Sequence, residues 1–155
     1  MLVRRLATPI GDLTLTASDT ALTSVEFPSS RRPLAGRNAR NEILDDACEQ
    51  LTEYFTGKRT VFDLPLDPSG SEFEHRVWDL LRAIPYGATT SYGALALRLG
   101  DPTRARAVGA ANGKNPIPII VPCHRVIGAN GDLTGFGGGI ERKRWLLQHE
   151  GALLI

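Results

Sequence analysis

The chain has 155 residues, 42% hydrophobic and 23% charged, with a formal net charge of +1. These totals fit one mid-sized domain or two small ones sharing a core, and they exclude disorder along the whole chain. They also exclude a global field drawing the protein onto nucleic acid, because the basic excess is confined to residues 70–155 (10 Lys+Arg against 7 Asp+Glu), whereas residues 1–69 are net acidic (8 against 10).

The N-terminal Met1-Leu2-Val3-Arg4-Arg5 lacks the apolar core of a secretory signal. No stretch approaches the roughly 18–20 apolar residues that span a bilayer. A soluble, cytoplasmic protein with no membrane partner is expected. Pro9-Ile10-Gly11-Asp12 predicts a turn. Leu13 and Leu15 alternate with Thr14 and Thr16, which predicts a half-buried strand. Ser18-Asp19-Thr20 predicts another turn, Val25 and Phe27 a further strand, and Ser29 to Arg40 a surface loop. From Glu42 to Phe55 the apolar residues Ile43, Ala47, Leu51 and Phe55 recur every fourth position, widened by Leu44 and Tyr54, as on one face of a helix. Cys48 lies beside that stripe and reads as a small core residue. Gly57 is the predicted stop, and Val61 to Leu66 reads as one more strand.

Asp67-Pro68-Ser69-Gly70 is the best linker, dividing an N-terminal α/β domain, 1–69, from a C-terminal domain, 70–155. Ser71-Glu72-Phe73-Glu74 is a capping box. It predicts a helix with the stripe Phe73, Val77, Leu80, Leu81 and Ile84, ended by Pro85-Tyr86-Gly87. Two short helices follow: one from Ser91 to Leu99 stopped by Gly100, one opened by Asp101-Pro102 and running to Asn112. The pair predicts a helix-turn-helix over about 91–112, although many core helix pairs share this spacing. Pro116, Pro118 and Pro122 forbid regular helix between Asn115 and Cys123 and favour extended backbone. That segment is otherwise apolar, so burial and a fixed presentation of Cys123 are expected. The glycines from Gly128 to Gly139 either let backbone approach a ligand closely or form a flexible connector. A last helix, Ile140 to His149, is expected to turn Trp145 and Leu146 inward and Arg142, Lys143 and Arg144 outward. The predicted class is mixed α/β: a small antiparallel sheet with a helix, then a mostly helical domain.

Cys48 and Cys123 are the only cysteines, too few for a disulfide scaffold. With His75, His124 and His149 they make no CxxC or HExxH spacing, so neither metal nor cofactor is expected. Cys123 is the candidate nucleophile, in Pro122-Cys123-His124-Arg125. A free thiol is only a few per cent ionised near neutrality, and His124 and Arg125 are expected to lower its pKa. The alternative is an inert core thiol. Direct contact between neighbours in sequence is unnatural, so His124 is expected to act through one water and to need an orienting partner. Glu150, a carboxylate at a helix C-terminus against the dipole rule, is the candidate partner or else an exposed terminal Glu. Arg106 stands among small residues, Ala105 and Gly109 included, either approaching a duplex or pairing on the surface. Arg98, Arg104, Lys114 and Arg125 add a hint of a phosphate-facing surface.

The stretch Asn115 to Arg125, with Pro122-Cys123-His124-Arg125-Val126, closely resembles the active-site signature of the methylated-DNA–protein-cysteine methyltransferases, the alkylguanine-DNA alkyltransferases. The resemblance runs from about Phe73 to Gly151. It includes Ser91-Tyr92-Gly93, Arg104-Ala105-Arg106-Ala107-Val108-Gly109, Gly135-Phe136-Gly137-Gly138-Gly139 and Lys143-Arg144-Trp145-Leu146-Leu147. It implies suicidal repair, in which Cys123 takes the alkyl group from O6 of an extruded guanine. It further implies that His124 takes the thiol proton through water, that Glu150 orients His124, and that Tyr92 assists the leaving group. Arg106 would fill the gap in the stack, with Ala105 and Gly109 fitting the minor groove and Arg125 on the DNA-binding side. Asn115 would hold the helix pair against the active-site segment, 115–126. Pro118, Val126, Phe136, Gly137 and Gly138 would form the base pocket, with carbonyls of Cys123 and Val126 accepting from the guanine amino group and the Gly137 amide donating to O6. Phe136 and Gly137 stand where some members carry tyrosine and serine. The zinc ligands of some members are not evident. The implied partner is double-stranded DNA with alkylated guanine, bound by a monomer for which cooperative binding is an open alternative.

Three rivals remain. A non-enzymatic alkylated-DNA-binding protein of the same superfamily would lack Cys123. A cysteine hydrolase would turn over repeatedly and need no Arg106. A helix-turn-helix regulator would need sequence-specific base contacts.

Overall fold

The computed structural model describes residues 1–28, 41–128, 130–133 and 136–153. The loop expected over Ser29 to Arg40 and the glycine at 135 lie outside them. The chain divides into two compact units, Met1–Ser69 and Gly70–Ile155, and the fold is mixed α/β.

In the first unit, β1 (Leu2–Leu6), β2 (Leu13–Ala17) and β3 (Leu22–Glu26) form an antiparallel sheet in the order β1-β2-β3. Leu13, Leu15 and Ala17 fall on one face of β2 and are fully buried, so the alternation in the sequence becomes packing. Helix α1 (Glu42–Phe55) packs against this strand and buries Leu44, Ala47, Leu51 and Tyr54. Asn41 caps it by accepting from the Leu44 amide at 3.0 Å. Gly57, at φ +79°, ends it as expected.

One strand here escaped sequence reasoning, and one expectation needs correcting. β1 gave no alternating signal, because Arg4 and Arg5 sit on an edge strand where charge is tolerated. Arg4 donates to Asp45 of α1 at 2.7 Å. The strand expected over Val61 to Leu66 is reduced to one bridge, Leu22 to Leu66. Pro65 accepts from the Leu22 amide at 2.9 Å but has no N–H with which to extend a ladder.

In the second unit, α2 (Glu72–Arg82) opens with the predicted capping box. Glu74 N donates to Ser71 Oγ at 3.1 Å, and Ser71 N donates to Glu74 Oε1 at 2.8 Å. The helix buries Val77 and Leu81, and also Trp78, whose indole donates to the Ala111 carbonyl at 2.9 Å. Two-residue strands β4 (Thr90–Ser91) and β5 (Val126–Ile127) pair in parallel, Ser91 opposite Ile127. Ser91 also caps α3 (Tyr92–Arg98), and Gly100 at φ +90° turns the chain after it. Asp101 then accepts from the Thr103 amide and opens a single 3-10 turn, Pro102–Arg104, that runs into α4 (Ala105–Gly113). α3 and α4 pack together, and α2 packs on α4.

The segment after α4 is not the extended arm that its prolines predict. Ile119 stands at φ +74°, Val121 N donates back to the Ile117 carbonyl at 2.9 Å, and Pro118 bridges Val121. Prolines exclude helix, but they leave a tight reversal open. A β-branched residue in the left-handed region costs on the order of 1–3 kcal/mol. Complete burial of the Ile119 side chain offsets it. Helix α5 (Ile140–His149) closes the unit and packs on the turn Cys123–Arg125.

Candidate active site

Cys123, His124 and Arg125 form one turn of 3-10 helix leading straight into β5. This turn is buried on every side. Cys123 is 5% exposed and His124 is 0% exposed. Burial pushes the Cys123 thiol up from an ordinary 9.0 to about 11, opposed by a hydrogen bond from Asn115, by the charge of Lys143 and by nearby backbone amides. Burial therefore favours the neutral thiol at Cys123, which corrects the expectation that His124 and Arg125 lower its pKa.

Those two side chains both engage Glu150. His124 Nε2 lies 2.8 Å from Glu150 Oε2. Arg125 grips the same carboxylate with Nε to Oε1 at 2.8 Å and Nη2 to Oε2 at 3.1 Å, and its Nη1 donates to the Ile84 carbonyl at 2.6 Å. Glu150 is the C-cap residue of α5 and is 5% exposed. Its unfavourable place against the helix dipole is offset by two cationic or polar partners, so it is no exposed terminal Glu. A carboxylate only accepts, so Nε2 carries the histidine proton and Nδ1 the lone pair. Nδ1 is buried and makes no hydrogen bond. Burial depresses the His124 pKa more than the Glu150 hydrogen bond raises it, so the ring is neutral at rest.

Arg125 does not reach the surface where it was expected to meet DNA. It is 6% exposed and satisfied by Glu150 and Ile84. A guanidinium with no exposed face cannot neutralise a phosphate. Arg106 differs: it is exposed on α4, with Ala105 and Gly109 half-buried on the same helix. Tyr92 lies against that helix, since a Cβ at Gly109 would meet its ring at 3.7 Å. The pairing of Ser91 with Ile127 also sets Tyr92 beside the strand that follows the Cys123 turn.

Asn115 braces the reversal from within. Its Nδ2 donates to the Val121 carbonyl at 2.8 Å, and its Oδ1 accepts from the Ile117 amide at 3.0 Å. Pro118 and Val126 are buried, Phe136 half-buried, Gly137 exposed and Gly138 buried. The Gly138 carbonyl accepts from Arg142 at 2.9 Å.

Two polar residues of this site escaped sequence reasoning. Lys143, expected to point outward, is fully buried and donates from Nζ to the Val126 carbonyl at 2.6 Å. Burial lowers its pKa from 10.5 to about 8, opposed by attraction to Cys123 when that thiol is ionised. Its spacing held the signal: Lys143, Leu146, Leu147 and Glu150 fall at i, i+3, i+4 and i+7, one face of α5. Trp145 lies off that face, half-buried and stacked on His149. Asn112 is the second. It shares the buried face of α4 with Val108 and Ala111, and its Nδ2 donates to the Cys123 carbonyl at 3.4 Å.

A buried thiol beside a neutral histidine backed by a carboxylate can lose its proton at the moment of attack and remain inert otherwise. Comparisons with known proteins place the chain in a family. Residues 72–152 match the family described as 6-O-methylguanine DNA methyltransferase, DNA binding domain, and residues 1–68 match its ribonuclease-like domain. The methylated-DNA–protein-cysteine methyltransferase of Mycolicibacterium paratuberculosis is 51% identical over 152 residues, covering 95% of this chain and 90% of that one. The protein of the same name from Salmonella typhimurium is 44% identical over 168 residues, covering 100% and 98%. The crystal structure of Mycobacterium tuberculosis OGT in complex with DNA superposes with a TM-score of 0.90 at 48% identity, covering 98% of this chain and 94% of that one. A chain matched along both units by one family, and folded like its members, belongs to the 6-O-methylguanine DNA methyltransferase family.

Proposed function

We propose that this protein repairs DNA by direct reversal, moving a methyl or other alkyl group from O6 of guanine in duplex DNA onto Cys123, once per molecule. The observation that carries the reading is the buried pair His124–Glu150 at 2.8 Å, directly beside a thiol kept neutral by burial. Water passes the Cys123 proton to His124 Nδ1. Sγ attacks the alkyl carbon in line with the C–O6 bond. The S–C bond forms, the C–O6 bond breaks, and its electron pair leaves with the guanine, whose protonation Tyr92 assists. Glu150 stabilises the imidazolium, and Arg125 holds Glu150. The product is a thioether, from which water displaces nothing, so no step restores the thiol.

A sulfur that is 5% exposed cannot reach a base inside the stack, so the nucleotide is extruded at a cost of about a few kcal/mol. α4 enters the minor groove, where Ala105 and Gly109 allow close approach and Arg106 fills the gap. Asn115 keeps the reversal rigid, and Pro118, Val126, Phe136, Gly137 and Gly138 receive the base. Carbonyls of Cys123 and Val126 accept from its amino group, and the Gly137 amide donates to O6. The protein acts as a monomer.

The test is to incubate the protein with a duplex oligonucleotide containing O6-methylguanine and to map the mass of the peptide holding Cys123. One methyl adduct per protein at Cys123 is expected. Repeated turnover with no adduct would indicate a hydrolase, and tight binding with neither would indicate a non-enzymatic lesion binder.

A further inference from the structure

Among the described residues, four buried side-chain polar atoms make no hydrogen bond: Thr16 Oγ1, Ser24 Oγ, His124 Nδ1 and Asn112 Oδ1. The first two face each other across β2 and β3 in the other unit. The last two belong to residues tied to the Cys123 turn: His124 follows Cys123 in the chain, and Asn112 donates to the Cys123 carbonyl. An unsatisfied buried acceptor costs about 1–3 kcal/mol, so a carboxamide kept in that state by a helix that could carry an apolar residue calls for a reason.

The orientation of Asn112 is not arbitrary. The atom facing the Cys123 carbonyl at 3.4 Å must be Nδ2, since two carbonyl-type oxygens would repel. The same side chain therefore holds Oδ1 close to the Cys123–His124 peptide, as a pure acceptor. His124 Nδ1, by the tautomer set at Nε2, is also an acceptor. Water is the one small group that donates twice and accepts the thiol proton between them.

We infer that Asn112 is a positioning residue for the proton relay: its Oδ1 accepts one hydrogen bond from the water that carries the Cys123 proton to His124 Nδ1. Water so held keeps one hydrogen on Asn112 Oδ1, gives the other to Nδ1, and takes the proton from Sγ; the count of protons balances with His124 as imidazolium. The residue belongs to α4, the helix that bears Arg106, so seating that helix on DNA and aligning the relay become one event. The charged groups around His124 are Glu150, Arg125 and Lys143, and the relay must work within their field.

The inference rests on the alkyl-transfer reading, and wild-type methyl transfer to Cys123 is the control that separates the two. If the wild type transfers nothing, that reading fails. Given wild-type transfer, the comparison is with Asn112→Leu, of similar volume and without the acceptor. Single-turnover transfer from O6-methylguanine duplex is measured from pH 6 to pH 10, with duplex affinity measured alongside. The variant is expected to bind duplex as the wild type does and to transfer about 10-fold slower near neutrality. Its rate should then climb with pH as the thiol ionises unaided, while the wild type levels off once His124 is neutral. A wild-type rate, or a uniform loss with the wild-type pH profile, overturns the inference. The wild-type crystal structure gives a second readout that does not depend on the variant's folding. A water bonded to both Asn112 Oδ1 and His124 Nδ1 is expected, and a water on His124 alone overturns it.

Discussion

At the residue scale, one carboxylate serves two partners. Glu150 receives Arg125 through two hydrogen bonds and His124 through a third, all inside the core. Replacing it with Gln leaves the Arg125 guanidinium buried without its counter-charge, and breaking such a pair costs about 3–5 kcal/mol. Glu150→Gln should therefore lower the melting temperature by several degrees and also slow alkyl transfer, read by thermal unfolding and by single-turnover kinetics. Loss of transfer with unchanged stability would contradict the buried-pair account. Cys123 obeys a different constraint. With its pKa near 11, the thiolate fraction at pH 7.5 is about 100-fold below that of a thiol at 9.0. Iodoacetamide should accordingly label Cys123 in the free protein far more slowly than a small-molecule thiol, as seen by peptide mass mapping. Rapid labelling would mean that the sulfur is ionised at rest.

At the element scale, the short segments that deliver the site are shaped by their ends. α3 has seven residues, too few to be stable alone, and begins at a Ser91 side chain accepting from Ala94 N at 3.1 Å. Ser91→Ala should cost about 1 kcal/mol of unfolding free energy, measurable by denaturant titration. Gly100, at φ +90°, joins this helix to the 3-10 turn before α4. Gly100→Ala should destabilise by about 1 kcal/mol or more and weaken duplex binding, since α4 takes its direction from that turn. A neutral result in both assays would remove the turn from the account of DNA binding. Arg106→Ala, by contrast, removes an exposed side chain. It should leave stability within about 0.5 kcal/mol of wild type. It should slow repair in duplex far more than transfer from free alkylated base, and equal losses would exclude a role in base extrusion.

At the scale of the whole molecule, the three buried titrating groups give stability a defined dependence on pH. His124 has a depressed pKa, so below the ordinary value of 6.5 the unfolded chain binds a proton that the folded one refuses. Stability should fall as pH drops below that point. On the alkaline side the signs oppose. Lys143, lowered from 10.5 to about 8, is deprotonated in the fold while still protonated in the unfolded chain, so stability rises with pH between those values. Cys123, raised from 9.0 to about 11, makes stability fall between 9 and 11. Cys123→Ser removes the second effect and, by taking away a group that holds the Lys143 pKa up, leaves Lys143 deprotonating no later than in the wild type. Unfolding free energies of that variant and the wild type, compared from pH 6 to pH 11, should diverge above pH 9, with the variant relatively more stable there. Parallel curves would mean that the thiol titrates normally.

The sequence by itself determined the parts of this protein that depend on neighbours along the chain. The capping box at Ser71, the alternation of Leu13 and Leu15, the stop at Gly57 and the helix from Ile140 to His149 all arise from interactions spanning a few residues. Their signals are therefore local and readable. Tertiary structure alone decided which side chains of those elements face inward and what they meet. Arg125 reads as a surface cation until Glu150, 25 positions later, and the Ile84 carbonyl close around it. Lys143 reads as solvated until the Val126 carbonyl takes its ammonium. The prolines before Cys123 dictate what the backbone cannot be, but burial of Ile119 and the hydrogen bonds of Asn115 hold the reversal it adopts. The resting charge of the sulfur was illegible for the same reason: desolvation is a property of everything packed around an atom, and most of what surrounds Cys123 is distant in the chain.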